Sequence, residues 1–387
     1  MLNDLHRFAA HLRETIRLQS PGATALTDAQ FNELALELFR LQFARNGVLR
    51  RTCEVRGMGP QTVEHWSQIP TMPAAAFKEF ELTCLPVSAR TTFFQSSGTT
   101  STQRSRHFHC AESLSLYEAS MWAGFVAHVL AGLAPTVGGW QLLALTPPLA
   151  GVPHSSLVHM FETIRQRVGA SPAMFCGAVA ADGGWLLDIQ RVIDTLQAAV
   201  IGARPVVLLG TAFSFVHLLD ALTAHALKLI LPPGSRVMET GGYKGRSREL
   251  PKAALHALIT QCLGVPRSHI VCEYGMSELS SQAYDGVAGA AADDQPAASR
   301  AFAFPSWTRV RVISPETGGD VAPGESGLVR IFDLANVYSV LALQTEDLAI
   351  RRAAGFELVG RTVAAEPRGC SLMPADARQI TTNLREP

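Results

Sequence analysis

RPVVLLG (204–210) followed by FSFVHLLDALTAHALKL (213–229) decides the fold. The first run is short, apolar and β-branched, so it reads as a buried strand; the second is long enough, and amphipathic enough, to be a helix packed on it. The same alternation recurs on both sides. GWQLLALTP (139–147), SSLVHMFETIRQRVG (155–169) and LLDIQRVIDTLQAAV (186–200) precede it, and SRVMETGG (235–242), ELPKAALHALITQCLG (249–264) and SHIVCEYG (268–275) follow. Short β-rich runs separated by helices imply an α/β protein whose largely parallel sheet carries helices on its faces. Upstream, apolar residues at helical spacing from Asp28 to about Arg45 predict a helix capped by Thr27 or Asp28. WSQIPTMPAAAFKEF (66–80) is a proline-punctuated connector.

From Pro305 the pattern changes to short strands and turns, WTRVRVIS, PETGGD, SGLVRIFDL, SVLALQTEDLAIRR and GFELVGR. A small antiparallel barrel or sheet is expected there. The expected organisation is a helical N-terminal region with an α/β core over 1–304, a β-rich subdomain over 305–361 and a short tail over 362–387. GVAGAAADDQPAAS (286–299) is low in complexity and reads as a loop.

Composition bounds the function. The 387 residues are 47% hydrophobic and 17% charged, enough for a large core. Lys plus Arg equals Asp plus Glu at 33 each, so no global field favours nucleic acid or an anionic membrane. The N-terminus mixes charges into its apolar residues and has no secretory core, and no stretch approaches a membrane span; a cytoplasmic location is expected. Seven cysteines without paired spacing speak against a disulfide framework or a structural zinc site. RHFHC (106–110) reads as a strand with both histidines on one face rather than a metal cluster.

Two stretches carry chemistry. FQSSGTTS (94–101) is hydroxyl-rich around a single glycine, so its backbone N–H groups can close on phosphate oxygens. About 170 residues on stands EYGMSEL (273–279), and TEDL (345–348) and GR (360–361) follow. Taken singly, each has an ordinary explanation: a turn, core packing for the tyrosine, a helix-dipole carboxylate for Glu278, a hairpin for Asp347 and a solvated barrel residue for Arg361.

Together, in this order and spacing, they resemble the adenylate-forming superfamily, which includes acyl-CoA synthetases and firefly luciferase. METGGYKGRSREL (238–250), CEYGMSELSSQAY (272–284) and EPRGCSLM (366–373) look more narrowly like the acyl-protein synthetases of bacterial bioluminescence, with phenylacetate-CoA ligases as more distant relatives. The resemblance implies the large α/β domain of that superfamily and ATP-dependent activation of a carboxylic acid. It implies that Ser96, Ser97, Gly98, Thr99, Thr100 and Ser101 wrap the β- and γ-phosphates and that Ser277, in the run Gly275-Met276-Ser277, touches the α-phosphate. Glu278 would hold Mg²⁺, Tyr274 lie against adenine, Asp347 bind the ribose hydroxyls and Arg361 sit near the ribose or the hinge. Ser101 replaces the usual glycine, and Arg104 or Arg106 stands where a lysine is usual.

Only 26 residues follow Arg361 and no lysine follows Lys252, so the mobile C-terminal domain and its lysine are expected to be missing or vestigial. Cys370, flanked by Arg368, matches the cysteine that accepts the acyl group in acyl-protein synthetases before an acyl-reductase or carrier-protein partner takes it; a packed turn residue is the alternative. Lys244 lies in a basic loop after Gly241 and Gly242, whose lack of side chains suits close approach to a nucleotide; a solvated turn is equally open. PHSSLVHM (153–160) lacks a nucleophile elbow. His154 and Ser155, with Phe213 and His217, are instead expected to line an acyl pocket. Two other functions remain open: acyl transfer from a thioester donor without ATP, and a degenerate nucleotide- or acid-binding partner of another enzyme.

Overall fold

The computed structural model describes residues 2–18, 25–96, 104–133, 139–169, 174–181, 183–241, 248–290 and 300–361. Three helices open the chain, α1 (Leu2–Leu18), α2 (Asp28–Arg45) and α3 (Gly47–Val55), then β1 (Met72–Pro73), α4 (Ala76–Glu79), the hairpin β2 (Thr92–Gln95) and β3 (Arg106–His109), and α5 (Ala111–His128). The alternating region runs β4 (Gln141–Ala144), α6 (Ser156–Val168), β5 (Met174–Phe175), β6 (Gly177–Val179), β7 (Trp185–Leu187), α7 (Ile189–Ile201), β8 (Val206–Thr211), α8 (Ala212–Ala224), β9 (Arg236–Thr240), α9 (Lys252–Leu263), β10 (Ile270–Tyr274) and β11 (Ala283–Tyr284). It closes with β12 (Thr308–Ile313), β13 (Ser326–Asp333), β14 (Ala342–Arg352) and β15 (Gly355–Arg361).

These elements form two compact units, one of residues 2–124, 275–283 and 303–358, the other of 125–274, 284–302 and 359–361 among the described residues. The second unit is built on a sheet of order β11-β10-β9-β8-β4-β5, whose β10-β9, β9-β8, β8-β4 and β4-β5 pairs are all parallel. Every residue of β4, β8, β9 and β10 is buried, as parallel strands with both faces covered require. Leu196 of α7, Phe215 and Leu218 of α8, and Leu255 and Ile259 of α9 pack with Leu143, Leu208 and Val237 of the strands in one core. Gly210 sits in a tight part of β8, where a Cβ would lie 3.1 Å from the side chains of Leu145 and Phe215 and would require them to shift.

The first unit holds the β-rich sheet, β1-β14-β13-β12 with β15 on β14; β12, β13 and β14 pair antiparallel as the sequence pattern predicts, while β1 joins parallel. Helix α2 begins where its cap is, with the Thr27 side chain accepting from the Gln30 N–H at 3.2 Å and the Gln30 side chain accepting from the Thr27 N–H at 3.0 Å. Its buried Gln42 donates to the carbonyls of Asn336 and Val337 and accepts from the Leu341 N–H.

Asp333, fully buried at the end of β13, accepts from the backbone N–H of Ser280, Ser281 and Ala335 at 2.9–3.0 Å and from the hydroxyls of Ser281 and Thr308. Burial pushes its carboxyl above the ordinary aspartate value, and the donors pull it back. Replacing Asp333 by Ala strands these buried donors and is expected to cost on the order of 3 kcal/mol in denaturant unfolding, with Asp333→Asn losing less. A loss under about 1 kcal/mol in the alanine variant would show that the network is dispensable.

Candidate active site

In the first unit, Thr92 pairs with His109 and Gln95 with Arg106, and the hairpin continues as the Ser96 N–H donates to the Ser105 carbonyl at 3.3 Å. The Ser105 N–H in turn donates to the Ser96 Oγ at 3.1 Å. Ser96 and Ser105 therefore close the base of the loop that carries SSGTTS. Ser97, Gly98, Thr99, Thr100 and Ser101 lie outside the described residues. Arg104 is exposed, and Arg106, half-exposed, lies over the Phe108 ring at 5.4 Å.

The EYGMSEL stretch meets this base. Ser277, 7% exposed, holds its Oγ 3.4 Å from the Ser105 Oγ and donates to Glu278 Oε2 at 3.0 Å. Its carbonyl lies 3.0 Å from His107 Nδ1. A carbonyl only accepts, so Nδ1 carries the proton, and that fixes the imidazole tautomer. Burial lowers the His107 pKa to about 4, against the upward pull of the Ser277 carbonyl and the Glu278 charge, so the ring is neutral at pH 7. Glu278 is itself buried, and its backbone carbonyl accepts from the Asn336 side chain at 3.0 Å. Gly275 and Met276, just before, are half-buried. Asp347 is buried on β14, where its backbone N–H donates to the Thr345 hydroxyl at 3.2 Å.

In the second unit the parallel order β4-β8-β9-β10 brings four carboxyl ends to one edge, where ligands bind in open α/β sheets. Tyr274 is the last residue of β10, buried, with its ring centroid 5.9 Å from that of Phe302. Gly241 directly follows β9. At the end of β8, Thr211 caps α8, and Phe213 and His217, one turn apart, meet edge to face at 4.5 Å. Past β4, Ser155 caps α6 by accepting from the Val158 N–H at 3.3 Å, and His154 is half-buried beside it. Arg361, half-buried, ends β15. Gly242, Lys244 and Cys370 lie outside the described residues.

Sequence reasoning passed over Ser105 and His107 as site residues, and over Glu273. The alternation in RHFHC was enough to place His107 on a strand face, but not to show that its partner is a carbonyl 170 residues away. Glu273 is buried and accepts from the Thr240 hydroxyl on the neighbouring strand. Burial first, and the nearby Glu239 charge as well, raise its pKa to about 7, with Thr240 pulling it down.

Among solved structures, the chain is similar to 2-hydroxyisobutyryl-CoA ligase in an open conformation with 2-HIB-AMP and CoA, at a TM-score of 0.64 and 13% identity over 92% of this chain and 75% of that one. The same ligase in its thioesterification state matches at 0.64 and 14% identity over 92% and 73%. Its postadenylation state with R3-HIB-AMP matches at 0.63 and 14% over the same shares. At this identity the likeness is one of fold: the chain shares the α/β architecture of these ligases. No family model and no curated protein matches the sequence. Among the described residues, no helix is long and apolar enough to cross a membrane.

The His107 environment sets a pH dependence. Because its folded pKa of about 4 lies below the ordinary 6.5, the unfolded chain takes up a proton that the folded chain refuses. This contribution to stability is whole above pH 6.5 and falls away toward pH 4, by about 3 kcal/mol at the limit. Urea titrations of wild type and His107→Asn should show their stability difference shrinking by that order between pH 7 and 4; a difference that stays constant would refute the assignment.

Proposed function

We propose that this chain activates a carboxylic acid with ATP and passes the acyl group to a thiol. The observation that carries this reading is the join between the two motifs: the base of the SSGTTS loop and the Ser277-Glu278 pair are hydrogen-bonded neighbours in one unit, although the sequence separates Ser105 from Ser277 by 172 positions. A hydroxyl-rich phosphate loop next to a buried carboxylate is what adenylate formation needs, because the triphosphate must be gripped and its charge neutralised while the attacking and leaving oxygens stay in line. The fold shared with 2-hydroxyisobutyryl-CoA ligase, whose structures hold an acyl-adenylate, supports the same reading.

In the proposed reaction a carboxylate oxygen attacks the α-phosphorus of ATP and pyrophosphate leaves. A thiolate then attacks the acyl carbon, and AMP departs with the electron pair of the broken C–O bond. Ser96 to Ser101 hold the β- and γ-phosphates, Ser277 the α-phosphate, Asp347 the ribose hydroxyls and Tyr274 the adenine. Arg104 supplies positive charge at the loop, and Lys244, with Gly241 and Gly242, does so at the carboxyl edge of the sheet. Glu278 suits Mg²⁺: it is a buried carboxylate beside the phosphate loop, a hard oxygen donor for a cation that would neutralise phosphate charge. His107 holds the Ser277 carbonyl, and so the Ser277-Glu278 turn, in place. His154, Ser155, Phe213, His217 and Arg361 border the acid and the ribose. The acyl acceptor is Cys370 or the thiol of a partner, and an acyl-reductase or a carrier protein would take the product, as the likeness to acyl-protein synthetases suggests.

Acid-dependent exchange of labelled pyrophosphate into ATP is the expected signature, across a panel of aliphatic and aryl acids. Exchange by no acid would remove the reading in favour of ATP-independent transfer or a binding partner. Glu278→Gln and Asp347→Ala are each expected to slow exchange about a hundredfold or more. Cys370→Ser is expected to leave exchange intact while abolishing the labelled acyl-protein; an undiminished acyl-protein would place the thiol elsewhere.

A further inference from the structure

A second polar cleft lies in the first unit, in the β-rich sheet. Its volume is about 400 Å³, and it is lined by His65 and Trp66 ahead of β1, Arg311 of β12, Asp320, and Arg351 and Arg352 at the turn from β14 to β15. Three guanidiniums face a single carboxylate in this lining. Arg311 is held by Asp320 at 2.8 Å and by the Ser67 carbonyl at 3.1 Å. Arg352 pairs with Glu357 at 2.9 Å. Arg351 is different: its side chain donates only to the Val321 carbonyl, at 2.7 Å, and among the described residues it has no ion pair. Glu325, whose backbone carbonyl accepts from the Arg351 N–H at 2.9 Å, has one carboxylate oxygen on the Ala322 N–H at 2.8 Å.

The surroundings add positive charge. Arg330, on the adjacent strand, bonds a neutral partner, Gln344, and its pKa is lowered by burial and then by the charge of Arg311, with Arg56 contributing too. The lining thus holds three guanidiniums and one carboxylate, Asp320; Glu357 sits on Arg352, Glu325 follows beside Arg351, and Asp28 lies against His65 at 3.6 Å and the Trp66 indole N–H at 3.1 Å. Like charges held this close raise one another's energy, and a bound anion relieves that cost. A guanidinium offers five N–H donors in a planar fork, and the hydrogen bonds of Arg351 leave most of its fork unused. The lining also includes the rings of His65 and Trp66, 5.3 Å apart and tilted by 39°, with most of the indole buried.

From this juxtaposition we infer a binding site for an organic phosphate, with the phosphate on Arg351 and Arg311 and the organic body against Trp66 and His65. A phosphate fits better than a carboxylate because it offers more acceptor oxygens to the unused fork of Arg351. The size suits a ligand larger than the phosphate ion alone. The site involves none of the residues assigned to acid activation and does not depend on that assignment.

Calorimetric titration of the full chain tests this with phenyl phosphate and inorganic phosphate as probes. Saturable one-to-one binding is expected, with phenyl phosphate about tenfold tighter because of the aromatic wall. Arg351→Gln is expected to weaken it at least about tenfold, with partial recovery in Arg351→Lys. Arg352→Gln serves as the second variant, and thermal melting checks that each variant is folded. The same titration on Asp347→Ala should be unchanged, since that residue belongs to the other site. The inference fails if neither probe saturates, if folded Arg351→Gln and Arg352→Gln both bind as wild type does, or if Asp347→Ala alone abolishes binding.

Discussion

Asp333 is where the first unit is tied together. A carboxylate with no exposed surface must find donors inside the protein, and it finds them on three pieces of chain: Ser280 and Ser281, Thr308, and Ala335. The Ser281 hydroxyl that donates to Asp333 also accepts from the Trp307 indole N–H at 3.1 Å, so an aromatic core residue shares the network. Ser277 and Glu278 stand a few residues before the first anchor. Asp333 anchors the backbone just beyond them at Ser280 and Ser281, while His107 bonds the Ser277 carbonyl and Asn336 the Glu278 carbonyl. A turn held by such partners needs little reorganisation when charge arrives beside it.

The second unit solves the same problem with ion pairs. Asp285 is fully buried beside Lys252 at 2.9 Å and Arg300 at 3.4 Å, and its carboxylate also accepts from the Cys272 N–H. Burial alone would raise its pKa; the two cations outweigh it, and the carboxyl lies below its ordinary value. Such an arrangement adds little net stability, because desolvating three charges offsets much of their attraction. Glu239 and His256, also buried, pair at 3.3 Å on the α9 side of the sheet.

Much of the architecture was legible from local pattern. The buried runs at β4, β8, β9 and β10, and the helices between them, follow from short β-rich runs alternating with helical periodicity, and of the two cap candidates, Thr27 and Asp28, the structure uses Thr27. The antiparallel pairing of β12 to β14 was equally visible in the turn residues between them. What local pattern could not supply was partner choice. Nothing in WSQIPTMP announces that Met72 and Pro73 add a parallel strand to β14. RHFHC shows two histidines on one face, but the low pKa of His107 comes from complete burial, which is a property of everything packed around it.

The order of strands and helices, the polar loops rich in hydroxyls and glycine, and the residue types suited to phosphate and cation chemistry were determined by the sequence by itself, because they depend on neighbours a few positions away. Which of those residues touch was decided only in three dimensions. Ser105 and Ser277 meet because two chain segments far apart in the sequence are drawn together by burial of apolar surface and by the need of interior polar groups for partners. The leftover charge of Arg351 belongs to the same category: a sequence shows an arginine, and only the folded chain shows that no carboxylate among the described residues has been placed beside it.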